Sequence, residues 1–133
     1  MADESVRRAR VIGGLRAAVG VVMIAAPQTM DRPAGHPSAR GRFILLMRTI
    51  GIRDLALGLG TLAATRSGGD DVRRWLRMGL LSDAIDVVTG TASVKHVGKS
   101  GAAIAGGLPI PFVFADLWAL KGASPSFRDQ SRA

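Results

Sequence analysis

LMRTIGIRDLALGLG, residues 46–60, is an apolar run of helical length that nevertheless contains two arginines and an aspartate. Unpaired charged side chains of this kind cost roughly 2.5–3.5 kcal/mol each at the centre of a bilayer. Three further apolar segments of the chain also carry embedded charges, and the two signs are equal in number across the four segments. The embedded residues are Arg16, Arg48, Arg53, Arg77, Asp54, Asp83, Asp86 and Asp116. We predict that they form an intramembrane network of ion pairs.

The four segments are predicted to be transmembrane helices, because each is apolar around most of its circumference and about as long as a bilayer is thick. They cover residues about 10–27, 43–65, 73–94 and 99–120. Pro109 and Pro111, near the middle of the fourth segment, predict a kink or a break in the helix there. The predicted fold is an all-α, four-transmembrane-helix bundle in one domain, residues 1–133. A soluble four-helix bundle with unusually apolar helices is the alternative.

The composition is apolar for a soluble protein but only mildly apolar for a membrane protein, which the embedded and flanking arginines explain. The chain of 133 residues is 47% hydrophobic, with a mean hydropathy of +0.23 and no cysteine, so thiol chemistry is excluded. The formal charge is +8, but the basic residues flank the apolar segments and form no strip interleaved with aromatic residues. We therefore expect no nucleic-acid partner. A cleaved signal peptide is disfavoured because Arg16 interrupts the first apolar run.

The distribution of basic residues predicts the orientation of the bundle. The N-terminal tail, the second loop and the C-terminal tail together hold nine basic residues, whereas the first and third loops hold five. By the positive-inside rule, both termini face the cytoplasm of a bacterial inner membrane that the chain crosses four times. Trp75 and Trp118 would then lie at the cytoplasmic interface.

Small residues share helix faces with the charges. Spacings of three and four residues place Gly79, Asp83, Asp86 and Gly90 on one face of the third segment. The first and second segments repeat this arrangement. Small residues let membrane helices approach closely. The glycines that we expect at helix contacts are Gly13, Gly20, Gly51, Gly58, Gly79 and Gly90.

The depth of each charge in the membrane predicts which residues pair. Arg16 and Asp116 lie at similar distances from the cytoplasmic boundary, so we expect them to form an ion pair. Arg53 is the expected counter-ion of the acids on the third segment. Arg48 lies further out, and it either reaches Asp86 or extends to the outer headgroups. Pairing within one chain and pairing between chains both stay open.

No arrangement of residues predicts catalysis, a metal site or a cofactor. The spacing Asp83-x-x-Asp86 is similar to the aspartate pair of membrane enzymes that transfer alcohol-linked phosphate groups. The longer Asp-Gly-x-x-Ala-Arg signature of those enzymes is absent. His36 and His96 lie in predicted loops without a carboxylate or a second histidine at ligand spacing. We therefore expect that the protein is not an enzyme.

The stretch RTIGIRDLALG, residues 48–58, together with the later Asp83-x-x-Asp86, resembles an uncharacterised family of small four-helix membrane proteins of actinobacteria. The resemblance spans most of the chain, and its specific part is the Gly-x-Arg-Asp-Leu-Ala-Leu-Gly sequence. It implies a fold and a membrane location, and it carries no activity. It also suggests an accessory subunit of a larger membrane assembly, such as a lipid importer of mycobacteria.

Two functional hypotheses follow from these observations. In the first, the protein is a non-enzymatic accessory or stabilising subunit of a membrane transport or envelope complex, and its ion pairs give rigidity. Its partners would be membrane lipids and either another integral membrane protein or a second copy of itself. In the second, it is a small oligomeric carrier or proton-coupled transporter in which Asp54, Asp83 and Asp86 titrate.

Overall fold

A computed structural model of the chain describes residues 2–30, 40–67, 69–95, 102 and 106–122. The longer helices in this part of the chain are α1 (Ala2–Ala25), α2 (Arg40–Ser67), α3 (Gly69–Ala92) and α4 (Ile110–Gly122). A short 3-10 helix, Pro27–Met30, follows α1, and no β-strand occurs among the described residues. The prediction of an all-α bundle of four helices is confirmed. His36, His96 and the predicted start of the fourth segment at Lys99 lie outside the described residues.

Across the ranges that the structure describes, no helix is both long enough and apolar enough to cross a membrane.

The helix ends coincide with signals in the sequence. Helix α1 ends at Ala25, just before Pro27, whose ring cannot continue a helix. The hydroxyl of Thr29 then donates a hydrogen bond to the carbonyl of Ala26 at 2.8 Å, which closes the turn. Helix α3 begins with acidic residues in its first turn, and α2 and α4 each have a basic residue in the last turn. In both arrangements the charges interact favourably with the helix dipole and stabilise the helix.

Pro109 and Pro111 mark the start of the last helix: Gly106 and Gly107 are helical, a turn follows at 108–109, and the segment is therefore broken at the prolines rather than kinked within one continuous helix. Helix α4 begins at Ile110, and Pro111 lies in its first turn. Proline is favoured at that position because its missing N–H would have no partner within the helix. The amide of Val113 donates to the carbonyl of Pro109 at 3.0 Å, which joins the preceding turn to the helix.

Glycines bring the backbones of α1 and α2 together in antiparallel orientation. Gly13 lies against Gly58, and Gly20 lies against Gly51. A Cβ atom on Gly20 would lie 2.6 Å from the carbonyl oxygen of Gly51, which is closer than real Cβ atoms approach. These contacts are of the kind that the sequence predicted for small residues. At Gly60, by contrast, the ring of Trp75 occupies the space that a side chain would take.

The apolar core of the bundle is small and lies near the end where α1 begins. Alanine accounts for half of its residues, which allows the helices to pack closely. The cluster consists of Ala9, Ile12, Ala64, Val72, Leu76 and Ala119. Toward the other end of the bundle, beyond this apolar cluster, charged side chains are buried, and these make up the candidate site.

Candidate functional site

A buried arginine, Arg16 of α1, lies at the centre of the bundle with only 2% of its surface exposed. It donates two hydrogen bonds to Asp83 of α3, from Nη1 to Oδ1 at 3.2 Å and from Nη2 to Oδ2 at 2.5 Å. Nη2 also donates to Oδ2 of Asp116 on α4 at 3.0 Å. Nη1 lies 3.6 Å from Oδ1 of Asp54 on α2. Arg16 therefore connects α1 to each of the other three helices.

Two uncharged residues shape the space around the Arg16 guanidinium. The guanidinium carbon lies 4.7 Å from the centre of the Phe112 ring, so the positive charge faces the negative face of the aromatic system. A Cβ atom on Gly79 would lie 2.8 Å from Oδ2 of Asp116 and 3.2 Å from Nη2 of Arg16. Gly79 therefore leaves room for the ion pair, and this is its specific role on the charged face of α3.

A second arginine, Arg53, extends the charges toward the surface. Its Nε and Nη2 donate to Oδ1 of Asp54 at 3.2 and 2.9 Å, and its Nη1 lies 2.7 Å from Oδ2 of Asp86. Nη2 is also 4.0 Å from Oδ1 of Asp83. The side chains of Arg53 and Asp86 are 30% and 22% exposed, whereas that of Asp83 is 2% exposed. Asp54 and Asp83 thus contact both arginines and join a buried half to a half-buried one.

We call this group the charge cluster, and it consists of Arg16, Arg53, Asp54, Asp83, Asp86 and Asp116. The predicted contact between Arg16 and Asp116 is present, and so is the predicted contact between Arg53 and Asp86. The contacts of Arg16 with Asp83 and Asp54 were not predicted. Gly79, one turn before Asp83, is the signal in the sequence that could have indicated the contact between Arg16 and Asp83.

Arg48 and Arg77 were predicted to belong to the same network, but they lie outside the charge cluster. The exposed side chain of Arg48 donates from Nε to the backbone carbonyl of Ile24 at 3.3 Å. It makes no ion pair with Asp86. Arg77 is exposed on the outer side of α3 and makes no ion pair with any described residue.

The remaining predicted glycine, Gly90, is buried on α3, on the face that also carries Asp83. Each aspartate of the charge cluster lies within 3.0 Å of a guanidinium nitrogen, so arginine side chains occupy the positions that a cation would take. Among the residues that the structure describes, no group of three or more histidine, aspartate or glutamate side chains could hold a metal ion. The interactions that the structure shows within the cluster are ion pairs.

The outside of the bundle is apolar, in contrast to its charged interior. Large apolar side chains that are more than two-fifths exposed occur on all four helices. On α1 and α2 they are Val11, Leu15, Val21, Val22, Leu45, Leu46, Ile52 and Leu59. On and around α3 and α4 they are Met78, Leu81, Ile85, Val88, Val94, Leu108, Ile110, Phe114, Leu117 and Trp118. Charged side chains are therefore buried beside the apolar core, while large apolar side chains are exposed along all four helices.

The end of the bundle where α1 begins carries its own ionic contacts. The guanidinium of Arg8 pairs with Glu4 one turn earlier and lies 4.3 Å above the ring of Trp118. The hydrogen bond from Arg8, together with the positive charge of its guanidinium, lowers the pKa of Glu4. Nη1 of Arg8 also donates to the carbonyl of Trp118 at 3.4 Å, so Arg8 connects the start of α1 to the end of α4.

Comparisons with protein-family models, with curated proteins and with solved structures found no match to this chain.

Proposed function

We propose that this protein is a non-enzymatic membrane component that acts as an accessory or stabilising subunit of a larger membrane assembly. The observation that carries the proposal is the combination of charges that are buried and paired inside the bundle with large apolar side chains that are exposed on all four helices. Lipid chains and the helices of a membrane partner are the surroundings in which such an exterior is stable. The buried cluster fastens the four helices to one another.

Each of the helices α1, α2 and α3 has a long stretch without an exposed charged residue on its outer side. Helix α1 has no exposed charged residue after Arg10, α2 has none between Arg48 and Arg66, and the outer side of α3 has none between Arg77 and Lys95. At 1.5 Å per residue these stretches without exposed charges are roughly 25 Å long. The hydrocarbon core of a bilayer is about 30 Å thick. The half-buried ion pair within this zone belongs to the charge cluster.

Polar groups on the outer faces are satisfied within their own helices. The exposed hydroxyls of Thr49, Thr89 and Thr91 donate to the carbonyl one turn earlier at 3.0, 2.8 and 2.7 Å. In lipid there is no water to accept these bonds, so every polar group needs an internal partner. The threonines are therefore compatible with an apolar surrounding.

The hydropathy of a whole helix counts its inward charges together with its outward apolar residues. Lipid contacts only the outer face, and the free energy of insertion depends on charges that remain unpaired. The charge cluster lowers the average apolarity of α1, α2 and α3 without presenting a full charge to the outside. A low average hydropathy is therefore compatible with the membrane proposal.

The proposed role as a subunit is supported by the engagement of the charges and by the extent of the exposed apolar surface. All six members of the charge cluster contact an opposite charge, which is typical of a structural clamp. The apolar side chains cover all four helices, so a partner helix can pack on one side while lipid covers the rest. We propose cytoplasmic termini for this arrangement, because the basic residues are concentrated at the end shared by Arg8 and Gly122.

Alkaline carbonate extraction of cells that express the tagged protein tests the membrane location. We expect the protein in the membrane pellet and in detergent extracts. Recovery of a monodisperse protein in detergent-free buffer would contradict the proposal. Purification in mild detergent, followed by mass spectrometry, then tests the subunit role, for which we expect a stoichiometric membrane partner.

A matched pair of variants makes the second measurement specific. Phe114 is 68% exposed on α4, and its replacement by alanine removes apolar surface without touching the charge cluster. Val88, 67% exposed on α3, offers the same change on another face. A partner that packs on the α3 or α4 side of the bundle should be lost from one of these two alanine variants and kept by the other. Purification of self-oligomers alone would count against an accessory subunit.

One observation favours the carrier as a second candidate function. The charge cluster combines two arginines with four aspartates, so with every group ionised it carries two excess negative charges. Arg53 and Asp86 are half-buried and connect this excess to the surface. In proteoliposomes, a carrier of this kind would show ion-coupled proton uptake that Asp86→Asn abolishes. Equal uptake by wild type and variant would exclude this role for Asp86.

A further inference from the structure

Exposed basic side chains surround one end of the bundle. They come from the start of α1, the end of α2, the start of α3 and the end of α4, which the fold brings to the same end. We call them the basic rim, and they are Arg7, Arg10, Arg66, Arg74 and Lys121. Arg10 donates from Nε to the hydroxyl of Thr65 at 3.4 Å, and this contact joins two sides of the rim.

The acids at this end do not balance the rim. Arg8, which lies just inside the rim, engages Glu4 through an ion pair. Asp71 lies 3.7 Å from Arg74, so it neutralises one member of the rim only in part. Asp70 is the remaining acid of the neighbouring first turn of α3. The five rim cations therefore form a surface with an excess of positive charge.

An exposed tryptophan lies beside the rim. Trp118 is 51% exposed, and Lys121 of the rim follows it by one helical turn. The guanidinium of Arg8 covers one face of its ring. Leu117 and Phe114, both exposed, extend the apolar surface from Trp118 away from the rim. Tryptophan next to basic residues, with apolar residues on the other side, is typical of the level at which lipid headgroups meet acyl chains.

We propose that the basic rim binds anionic phospholipid headgroups of the membrane leaflet at this end of the bundle. This inference rests on the proposed membrane location and adds a ligand class to it. Arginine guanidinium groups bind phosphate oxygens in pairs, and a ring of cations around the bundle matches the many headgroups of a leaflet. A nucleic acid would instead require cations on one strip with free aromatic faces, whereas Arg8 already covers a face of Trp118.

Quenching of Trp118 fluorescence by brominated lipids tests the proposal. The chain has two tryptophans, so Trp75→Phe leaves Trp118 as the single reporter beside the rim. The protein is reconstituted in phosphatidylcholine bilayers that contain phosphatidylglycerol, with bromine on the chains of one lipid or of the other. We expect phosphatidylglycerol to associate about fivefold more strongly than phosphatidylcholine, which is the contribution of one cation near an anionic headgroup. High salt should reduce the preference.

The rim variant carries Arg7→Gln, Arg66→Gln and Lys121→Gln, which remove exposed cations that make no ion pair among the described residues. Because Arg10 and Arg74 remain in the rim, we expect a preference for phosphatidylglycerol that is clearly smaller than that of the wild type. Its control carries Arg48→Gln and Lys95→Gln, which remove two exposed cations at the opposite end, and it should keep the wild-type preference. Circular dichroism checks that both variants retain their helices.

The outcomes separate this inference from the function on which it rests. Quenching of the wild type by both lipids without a preference, or a preference that is undiminished in the rim variant, would overturn lipid binding by the rim while the membrane location stands. Absence of quenching by either lipid would contradict the membrane location itself. Retention of an RNA oligonucleotide by the wild type in excess phosphatidylglycerol would also overturn the proposal, because a lipid-binding rim would already be occupied.

Discussion

Replacement of Arg16 by methionine removes the side chain that contacts carboxylates of three other helices. Asp116 then loses its guanidinium partner among the described residues and Asp83 keeps only the 4.0 Å contact with Arg53, whereas Asp54 keeps its hydrogen bonds from Arg53. Removal of one partner from a buried ion pair costs about 3–5 kcal/mol, because the remaining charge is uncompensated. The free energy of unfolding of a small domain is only about 5–15 kcal/mol. We therefore expect Arg16→Met to lower the free energy of unfolding by at least about 3 kcal/mol.

Equilibrium unfolding in mixed micelles of mild and denaturing detergent measures this change, with far-UV circular dichroism as the signal. Arg77→Met is the matched control, because Arg77 is an exposed arginine that makes no ion pair among the described residues. Substitutions at such surface positions usually change stability by no more than about 0.5 kcal/mol. A rescue variant combines Arg16→Met with Asp83→Asn and Asp116→Asn, which removes most of the uncompensated negative charge. We expect it to recover a large part of the lost stability.

The result that would refute this reasoning is a small effect of the single change. If Arg16→Met costs less than about 1 kcal/mol, the charge cluster does not hold the four helices together. A rescue variant that is less stable than Arg16→Met alone would also contradict the argument. The two asparagines would then have removed interactions that do not depend on Arg16.

Three further comparisons between variants test the helix packing and the charge cluster. In thermal unfolding, Gly79→Ala should destabilise the bundle by about 1–3 kcal/mol, because the added methyl group would press on a buried ion pair. Gly14→Ala is the control, because the space around its Cβ position is open. It should stabilise the bundle by about 0.5–1 kcal/mol. Gly20→Ala should cost at least as much as Gly79→Ala, since the obstacle is the backbone of the neighbouring helix; equal stability of Gly20→Ala and Gly14→Ala would contradict the close helix contact. Asp86→Asn should cost less than Asp83→Asn in the same assay, because the Asp86 side chain is 22% exposed and that of Asp83 is 2% exposed.

The helices could be predicted from the sequence because each follows from a long apolar segment that ends at proline, glycine or charged residues. The glycine contacts between α1 and α2 were also accessible, since Gly13, Gly20, Gly51 and Gly58 share faces with charged residues. The start of α4 at Ile110 was not predicted, because a proline in the first turn of a helix and a proline in the middle of one look the same in the sequence.

The membership of the charge cluster could be predicted only in part. The sequence contains equal numbers of embedded arginines and aspartates, yet Arg48 and Arg77 point outward while all four aspartates point inward. Side-chain length explains the difference. An arginine near a helix end can lie along the outer surface and keep its guanidinium at the polar boundary, whereas an aspartate is too short to do so. The aspartates therefore decide which residues form the cluster, and the arginines follow.

The charged interior and the apolar exterior depend on each other. In water, a buried ion-pair cluster often contributes less to stability than apolar residues of the same volume would, and an apolar exterior is unfavourable. In an apolar surrounding there is no water to stabilise a charge outside the bundle, so a charge that turned outward would be penalised strongly. Each aspartate thus fixes the rotation of its helix, and Arg16 fixes all four rotations at once. A bundle specified in this way can keep its shape while its exposed apolar side chains remain free for the lipid and partner-helix contacts that we propose.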